Sequence, residues 1–371
     1  MKILSAELSG WRNYEHQLFL FEGSPTIFVG SNGQGKTNFV EALVYAALGH
    51  SHRTSTDSVL VRQGSHEAII RLAVNYNERT LSVDLKVTTS GSNVIHVNGS
   101  PSSRRELARL LPLVLFAPED MDLIRGEPEH RRSFMNDILT ESSSTSAGDI
   151  TDYERVLRQR NMLLKSLRAN PKAERGSLDT WTDRLIDYAS RIMVARRRLV
   201  AELGTGVAGH YRAIASSEDV AALSLSESIG PDIPDEDVRR KLSEKFASHQ
   251  RDEIDRGMTL AGPHRDDLVI TLNALPARSH SSQGEAWSAA LALRLSQVDF
   301  VRRTSVAGDP VVVLDDVFSE LDAGRRNRLG DHLVGIEHVI ITAADVSTIP
   351  ATLAGTQHFV ANGHIDAETS G

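Results

Sequence analysis

Near the N-terminus the apolar residues come in short clusters. They are Ile3, Leu4 and Leu8, then Leu18-Phe19-Leu20, then Ile27-Phe28-Val29, with turns expected at Gly10 and at Gly23-Ser24-Pro25. This pattern predicts a hairpin leading into a buried core strand. Asn38 to Leu48 places Phe39, Leu43 and Ala46-Ala47 on one helical face, and the polar run His50 to Thr54 predicts a loop. Apolar and polar residues alternate over Ala68–Val74 and Thr80–Val87, which predicts an antiparallel pair turning near Asn77. Val94 to Val97, followed by Asn98-Gly99, predicts another strand and turn. Glu106–Leu111 reads as a short helix, and Leu113–Phe116 as an apolar run that Pro118 stops.

The period then lengthens. Tyr153, Val156, Leu157, Leu163, Leu164 and Leu167 recur at helical spacing, as do Trp181, Leu185, Tyr188, Ala189, Ile192 and Leu199. Two long amphipathic helices joined near Pro171–Gly176 form a helical hairpin. Ser142 to Ser146 predicts a flexible surface loop. Residues 204–256 read as helical and mixed, with an acidic loop from Asp232 to Asp237. Strand character returns at Leu268–Leu272. A helix follows from Ala286 to Val301, then the buried strand Val311–Leu314, then a last core strand at Val339–Ile341 before a C-terminal tail.

With 371 residues and no cysteine, disulfides and cysteine-ligated zinc are excluded, and a reducing cytoplasm suits the chain. The alternating start, Met1 to Glu7, reads as a strand, not a signal peptide. No apolar run approaches the ~20 residues of a membrane helix, so no membrane partner is expected. The net charge of −8 argues mildly against nucleic acid, but between residues 151 and 200 there are 12 Lys/Arg against 6 Asp/Glu. The helical arm is locally basic within an acidic chain, and local patches set the field a ligand meets.

The sharpest chemical signal is Gly30-Ser31-Asn32-Gly33-Gln34-Gly35-Lys36-Thr37, a complete Gly-x4-Gly-Lys-Thr between an expected strand and an expected helix. Glycines let successive N–H groups face one anion, and the helix N-terminus adds partial positive charge. In such a loop Lys36 reaches the β- and γ-phosphates of ATP and the Thr37 hydroxyl ligates Mg²⁺. Val311 to Leu314 ends in Asp315-Asp316, and a parallel strand delivers its C-terminal residues to the ligand edge of an α/β sheet. Asp315 is thereby expected to hold Mg²⁺, and Asp316 to position or deprotonate the attacking water. Because this strand belongs with the phosphate loop, the head is built from both ends of the chain, as residues 1–119 and 257–371. The helical lobe, 120–256, is an insertion.

Ser281-Ser282-Gln283-Gly284-Glu285 opens the helix near Ala286. Ser-x-x-Glu is an ordinary helix cap. Its place ahead of the Asp315 strand resembles that of Leu-Ser-Gly-Gly-Gln in ATP-binding-cassette ATPases, with Ser282, Gly284 and Glu285 at matching positions. Ser319-Glu320-Leu321-Asp322 resembles the cassette D-loop. One copy of each half-site implies an ATP-dependent head-to-head homodimer.

The ordered set of further motifs resembles the RecF family. These are Trp11-Arg12-Asn13-Tyr14, Phe116-Ala117-Pro118-Glu119-Asp120, Pro128 with Arg131-Arg132 and Phe134, Arg158-Gln159-Arg160-Asn161, Gly262-Pro263-His264-Arg265-Asp266-Asp267, and Asp315 to Asp322. The resemblance runs nearly end to end. It implies an α/β P-loop NTPase of the ABC/SMC type with an inserted helical arm, and a place for Arg12 and Asn13 in the nucleotide site. It also implies a weak, DNA-stimulated ATPase used as a switch, which clamps duplex DNA near single-strand gaps. With RecO and RecR it would help load RecA, and it would contribute to replication, repair and the SOS response. Asp316 stands in place of the Glu of fast cassette ATPases, which implies slow turnover. The Ser282 turn lacks the first glycine of the signature, and Asn136 stands where an Asp is expected. Thr342 to Asp345 occupies the place of the transporter switch histidine. Arg53, Arg62, Arg131, Arg132 and Arg196-Arg197-Arg198 are candidates for DNA phosphates. The insertion and the missing histidine weigh against a membrane-transporter ATPase subunit, and the Ser282 turn weighs against a P-loop small-molecule kinase.

Overall fold

The computed structural model describes residues 1–76, 79–170 and 176–366. In the N-terminal part, strands β1 (Lys2–Trp11), β2 (Tyr14–Leu20) and β3 (Thr26–Val29) lead into helix α1 (Lys36–Leu48). Then come β4 (Glu67–Tyr76), β5 (Arg79–Thr88), β6 (Val94–Val97), β7 (Ser100–Pro101), α2 (Arg104–Leu110) and β8 (Leu113–Phe116). The middle carries α3 (Met121–Arg125), α4 (Pro128–Ser142), α5 (Ser144–Ala169), α6 (Gly176–Ala215), β9 (Ala221–Ser226) and α7 (Val238–Arg256). The C-terminal part holds β10 (Asp267–Leu272), β11 (Leu275–Pro276), α8 (Ala277–His280), α9 (Gln283–Thr304), β12 (Val311–Asp315), α10 (Ala323–Leu333), β13 (His338–Ala343), β14 (Thr356–Ala361) and β15 (His364–Ile365).

The central sheet has the order β15-β14-β3-β13-β12-β8, parallel from β14 to β8, so strands from both ends of the chain interleave. Parallel strands covered on both faces read as continuous apolar runs, which is why Val311–Leu314 stands out. Alternate residues feed two cores. Val311, Val313, Ile340, Leu113 and Leu115 face α1 and a second, antiparallel sheet, β2-β1-β4-β5-β6-β7. Val312, Leu314, Val339, Ile341, Val114 and Phe116 face α9 and the helical lobe. Helix α1 therefore lies between two sheets and is buried all round from Phe39 to Ala47, where the sequence suggested a single apolar face.

Several expectations are corrected. The first hairpin does not turn at Gly10. Pairing continues to Trp11↔Tyr14, and the turn falls at Arg12-Asn13, with Arg12 at φ 50°. The serine run is no flexible loop: Ser143 caps α5 through Ser146 N, and Ser144–Ser146 form its first turn. Beyond Ile341 the tail adds β14, a full member of the central sheet. Strand β9 falls within a stretch read as mixed helix and pairs with β10, so a small sheet, β11-β10-β9, ties residues 221–226 to 267–276. The expected turn at Asn77, and residues 171–175 of the bend expected near Pro171–Gly176, lie outside the described residues.

Candidate nucleotide site

The glycine-rich loop joins the end of β3 to the start of α1 and is clamped from two sides. From the β1–β2 turn, Asn13 Nδ2 donates to Gln34 O (3.1 Å) and Tyr14 Oη to Gly35 O (3.1 Å), while Asn38 Nδ2 donates to Asn13 Oδ1 (2.8 Å). From the β14–β15 turn, Gly363 N donates to Gln34 O (2.9 Å) and Asn362 N to Gln34 Oε1 (2.8 Å). Gly35 sits at φ +122°, and a methyl group there would lie 2.8 Å from Asn13 Nδ2, so both conformation and space require glycine. A loop with its carbonyls committed in this way is pre-organised for an anion.

Lys36 lies at the head of α1, nearly buried, with Nζ donating to Gly30 O (2.6 Å) and Ser31 O (3.1 Å). Burial lowers its pKa, and the charges of Asp316 and Asp315 oppose that shift. The next residue, Thr37, donates its hydroxyl to Asp315 Oδ1 (3.1 Å), joining positions 278 apart in sequence. Asp315 closes β12 and is 3 % exposed. Burial raises its pKa, against the hydroxyls of Thr342 (2.6 Å) and Thr37. Thr342, at the end of β13, was noted in the sequence only for not being histidine. Its Oγ1 also accepts from Asp316 N (3.0 Å), so it holds the Asp315 carboxylate and the Asp316 backbone together. Asp316 holds φ 54°, a left-handed conformation Asp tolerates but rarely adopts, which turns the chain at the sheet edge. The donor set fits a phosphate chain with Mg²⁺, which takes one or two protein oxygens and completes its shell with phosphate and water. Among the described residues no cluster of three or more acidic or histidine ligands is present.

Arg12, expected against nucleotide, pairs with a carboxylate of the neighbouring helix. Its Nε and Nη2 grip Glu41 of α1 at 2.8 and 2.7 Å, and Glu41 also accepts from Ser51 Oγ (2.6 Å) and Arg53 Nη1 (3.4 Å). Burial alone would raise the Glu41 pKa, but the Arg12 and Ser51 bonds and the charges of Arg12 and Arg53 bring it below the usual range. Asn13 serves the loop from behind, as its brace.

A second group forms around α9 and α10. Ser282 and Glu285 make the full reciprocal cap of α9, with Glu285 N to Ser282 Oγ at 3.3 Å and Ser282 N to Glu285 Oε2 at 2.7 Å. Asp322 caps α10 through Arg325 N (2.9 Å) and forms an ion pair with the Arg325 side chain. Arg325 Nε donates to Ser288 Oγ (3.0 Å), and Ser288 Oγ to Gly284 O (3.0 Å), so Asp322 and the Ser282 turn are brought together. Sequence reasoning did not single out Arg325, because nothing in its spacing marks which helix it reaches.

The candidate DNA arginines divide sharply. Arg131 is buried, bidentate to Asp267 (2.7 and 2.8 Å) and bonded to Gly126 O (2.9 Å), so its guanidinium is spent on structure. Arg196 is likewise buried against Pro263 O (2.6 Å) and Asn136 Oδ1 (2.8 Å), and burial lowers its pKa to about 10. That bond gives Asn136 its role. Arg197 pairs with Glu227 and Asp235. Arg132 donates to Asp266 O (3.1 Å), Arg62 faces Glu15 (3.3 Å), Arg53 bonds Asn38 Oδ1 (3.0 Å), and Arg198 is exposed. His264 packs structurally: Nε2 donates to Thr259 O (3.2 Å), so Nδ1 accepts from Tyr153 Oη (2.5 Å). Burial lowers its pKa to about 4.

The family described as RecF/RecN/SMC N terminal domain matches residues 2–350. The DNA replication and repair protein RecF of Clavibacter michiganensis is 42% identical over 386 residues, covering 98% of this chain and 96% of that protein. The RecF of Frankia alni is 39% identical over 377 residues, covering 98% and 99%. The solved structure of the recombination mediator protein RecF-ATP in the RecFOR pathway superposes with TM-score 0.90 at 27% identity, covering 98% of this chain and 96% of that one. An SMC head bound to the C-winged helix domain of ScpA gives TM-score 0.57 at 18% identity, covering 99% and 96%, a likeness of fold alone.

Proposed function

This chain belongs to the RecF family, and from that premise we propose that it is an ATP-gated, DNA-binding protein of recombinational repair. In this reading two copies join head to head on ATP and hold duplex DNA near a single-strand gap. RecO and RecR are its partners in loading RecA, and slow hydrolysis releases the DNA. The observation that carries the reading is the meeting of Thr37 and Asp315 at 3.1 Å beside a phosphate loop clamped on both sides. Neither a strand end nor a glycine turn alone would require that convergence.

The roles follow from position. Lys36 binds the outer phosphates, with the two loop carbonyls exchanged for phosphate oxygens. Thr37 and Asp315 would hold Mg²⁺, which supplies charge neutralisation at the phosphates. Asp316 orients the attacking water and accepts its proton. Its side chain is one methylene shorter than glutamate, consistent with a timer more than a fast enzyme. Ser282, Gly284, Glu285 and Asp322 serve the nucleotide of the second copy. The head is residues 1–119 and 257–371, and residues 120–256 are the arm lobe. Arg53, Arg62, Arg132 and Arg198 remain the arginines of this set with reach to DNA phosphates.

Fluorescence anisotropy on a gapped duplex tests the proposal. Tight binding with ATP, weak binding with ADP and a steep fall with salt are expected. Ser282→Arg should keep nucleotide binding and lose the ATP-dependent DNA complex. Equal DNA affinity in ADP and ATP would remove the gating.

A further inference from the structure

In the α9 turn, Gly284 is approached by a side chain from α10. A methyl group on it would lie 2.9 Å from Arg325 Nη2 and 3.2 Å from Cζ and Nη1. The guanidinium therefore rests directly on the Gly284 backbone. Its remaining contacts reach both ways: Nε to Ser288 Oγ (3.0 Å) on α9, and Nη1 to the Asp322 carboxylate ahead of α10. Ser288 is fully buried and passes the link on to Gly284 O (3.0 Å). The Arg325 side chain itself is 24 % exposed, so it sits at the rim and not in the core. Arg326 and Arg328 hold the same helix from behind, through Phe318 O (2.7 Å) and Ile214 O (2.8 Å). A lysine has one compact charge and cannot span Ser288 and Asp322 while lying flat on a glycine, whereas the planar guanidinium fork can.

We propose that Arg325 is a positioning residue that locks Asp322 and the Ser282–Glu285 turn into one rigid edge, so that both meet the second copy's phosphate loop as a unit. This rests on the head-to-head dimer reading above.

Two readouts separate this proposal from that reading. Amide hydrogen exchange on the nucleotide-free monomer tests the lock itself. Arg325→Ala, Arg325→Lys and Ser288→Ala should each speed exchange at 282–288 and at 319–322 together. Sedimentation with ATP and Mg²⁺ tests its consequence. The same variants should bind a fluorescent ATP analogue as wild type does, yet dimerise at least about tenfold more weakly. Arg325→Ala combined with Ser288→Ala should be no worse than Arg325→Ala alone, since both break the Arg325–Ser288 contact. A wild type that stays monomeric with ATP would sink the dimer reading while leaving the exchange result to decide the lock. A normal dimer from Arg325→Ala, or unchanged exchange in the two segments, would overturn the proposal. Ser288→Ala carries the test if Arg325→Ala does not fold.

Discussion

Two glutamates show how little residue type alone decides. Glu41 is fully buried yet gathers Arg12, Ser51 and Arg53 around its carboxylate, which stays charged. Glu141 on α4 is also buried, but among the described residues neither of its oxygens has a hydrogen-bond partner. Burial raises its pKa well above the usual range, the Asp137 charge adds to this, and Arg294 opposes it. The fold thus keeps a proton there that the unfolded chain releases, so this group's stabilising contribution falls as pH rises from the ordinary glutamate range through the raised value. Glu41, held low, contributes in the opposite sense and loses its contribution as pH falls. Glu141→Met should stabilise the protein at pH 8 by about 1–3 kcal/mol and flatten that slope, read by urea unfolding at pH 5 and pH 8. A loss of stability at pH 8 would mean Glu141 has a charged partner in solution. Lys36, Thr37 and Asp315 were legible because their spacing encodes chemistry. The partners of Arg12 and Arg131 were not legible, because an arginine's partner lies in another element and only the fold says which.

At the scale of elements, the long apolar periods located α5, α6 and α9 well, and the valine run located β12. The misses are short or polar: β9 is Ala-Ala-Leu-Ser-Leu-Ser, and β14 alternates too weakly to be told from a tail. Their strand character comes from partners far along the chain, β10 and β3. The Arg158–Asn161 motif resolves into a joint between helices. Arg160, 1 % exposed, bonds Glu253 of α7 (2.5 Å), Thr182 of α6 (3.0 Å) and Thr259 (2.8 Å), and lies over the Phe246 ring. Asn161 completes the joint by accepting from Thr259 N and Oγ1 (2.8 and 2.7 Å). Arg160→Met leaves Glu253 charged and partly unpaired, and should cost about 3–5 kcal/mol. The double variant Arg160→Met/Glu253→Met should recover a large part of that loss in equilibrium denaturation. Additive losses would mean that packing on Phe246, not the ion pair, dominates.

At the scale of the whole molecule, the chain brings Lys36 and Asp315 together from its two ends by interleaving β3, β13 and β12 in one parallel sheet. That closure was readable once both motifs were seen, because a phosphate loop needs a carboxylate strand beside it. The tie between the middle of the chain and its C-terminal part was not readable, since it runs through β9–β10 pairing and a core that α9 shares with α6. Each chain carries one phosphate loop and one Ser282–Asp322 edge, and in the proposed assembly a second copy brings the edge of one to the loop of the other on ATP. The most direct measurement is the sedimentation mass of wild type and Asp316→Asn, with ADP or ATP and Mg²⁺, with and without a gapped duplex. The expected result is a monomer with ADP, a dimer with ATP that carries the DNA, and a longer-lived dimer in Asp316→Asn. A monomer under every condition would contradict it and leave the Ser282 turn as a helix cap.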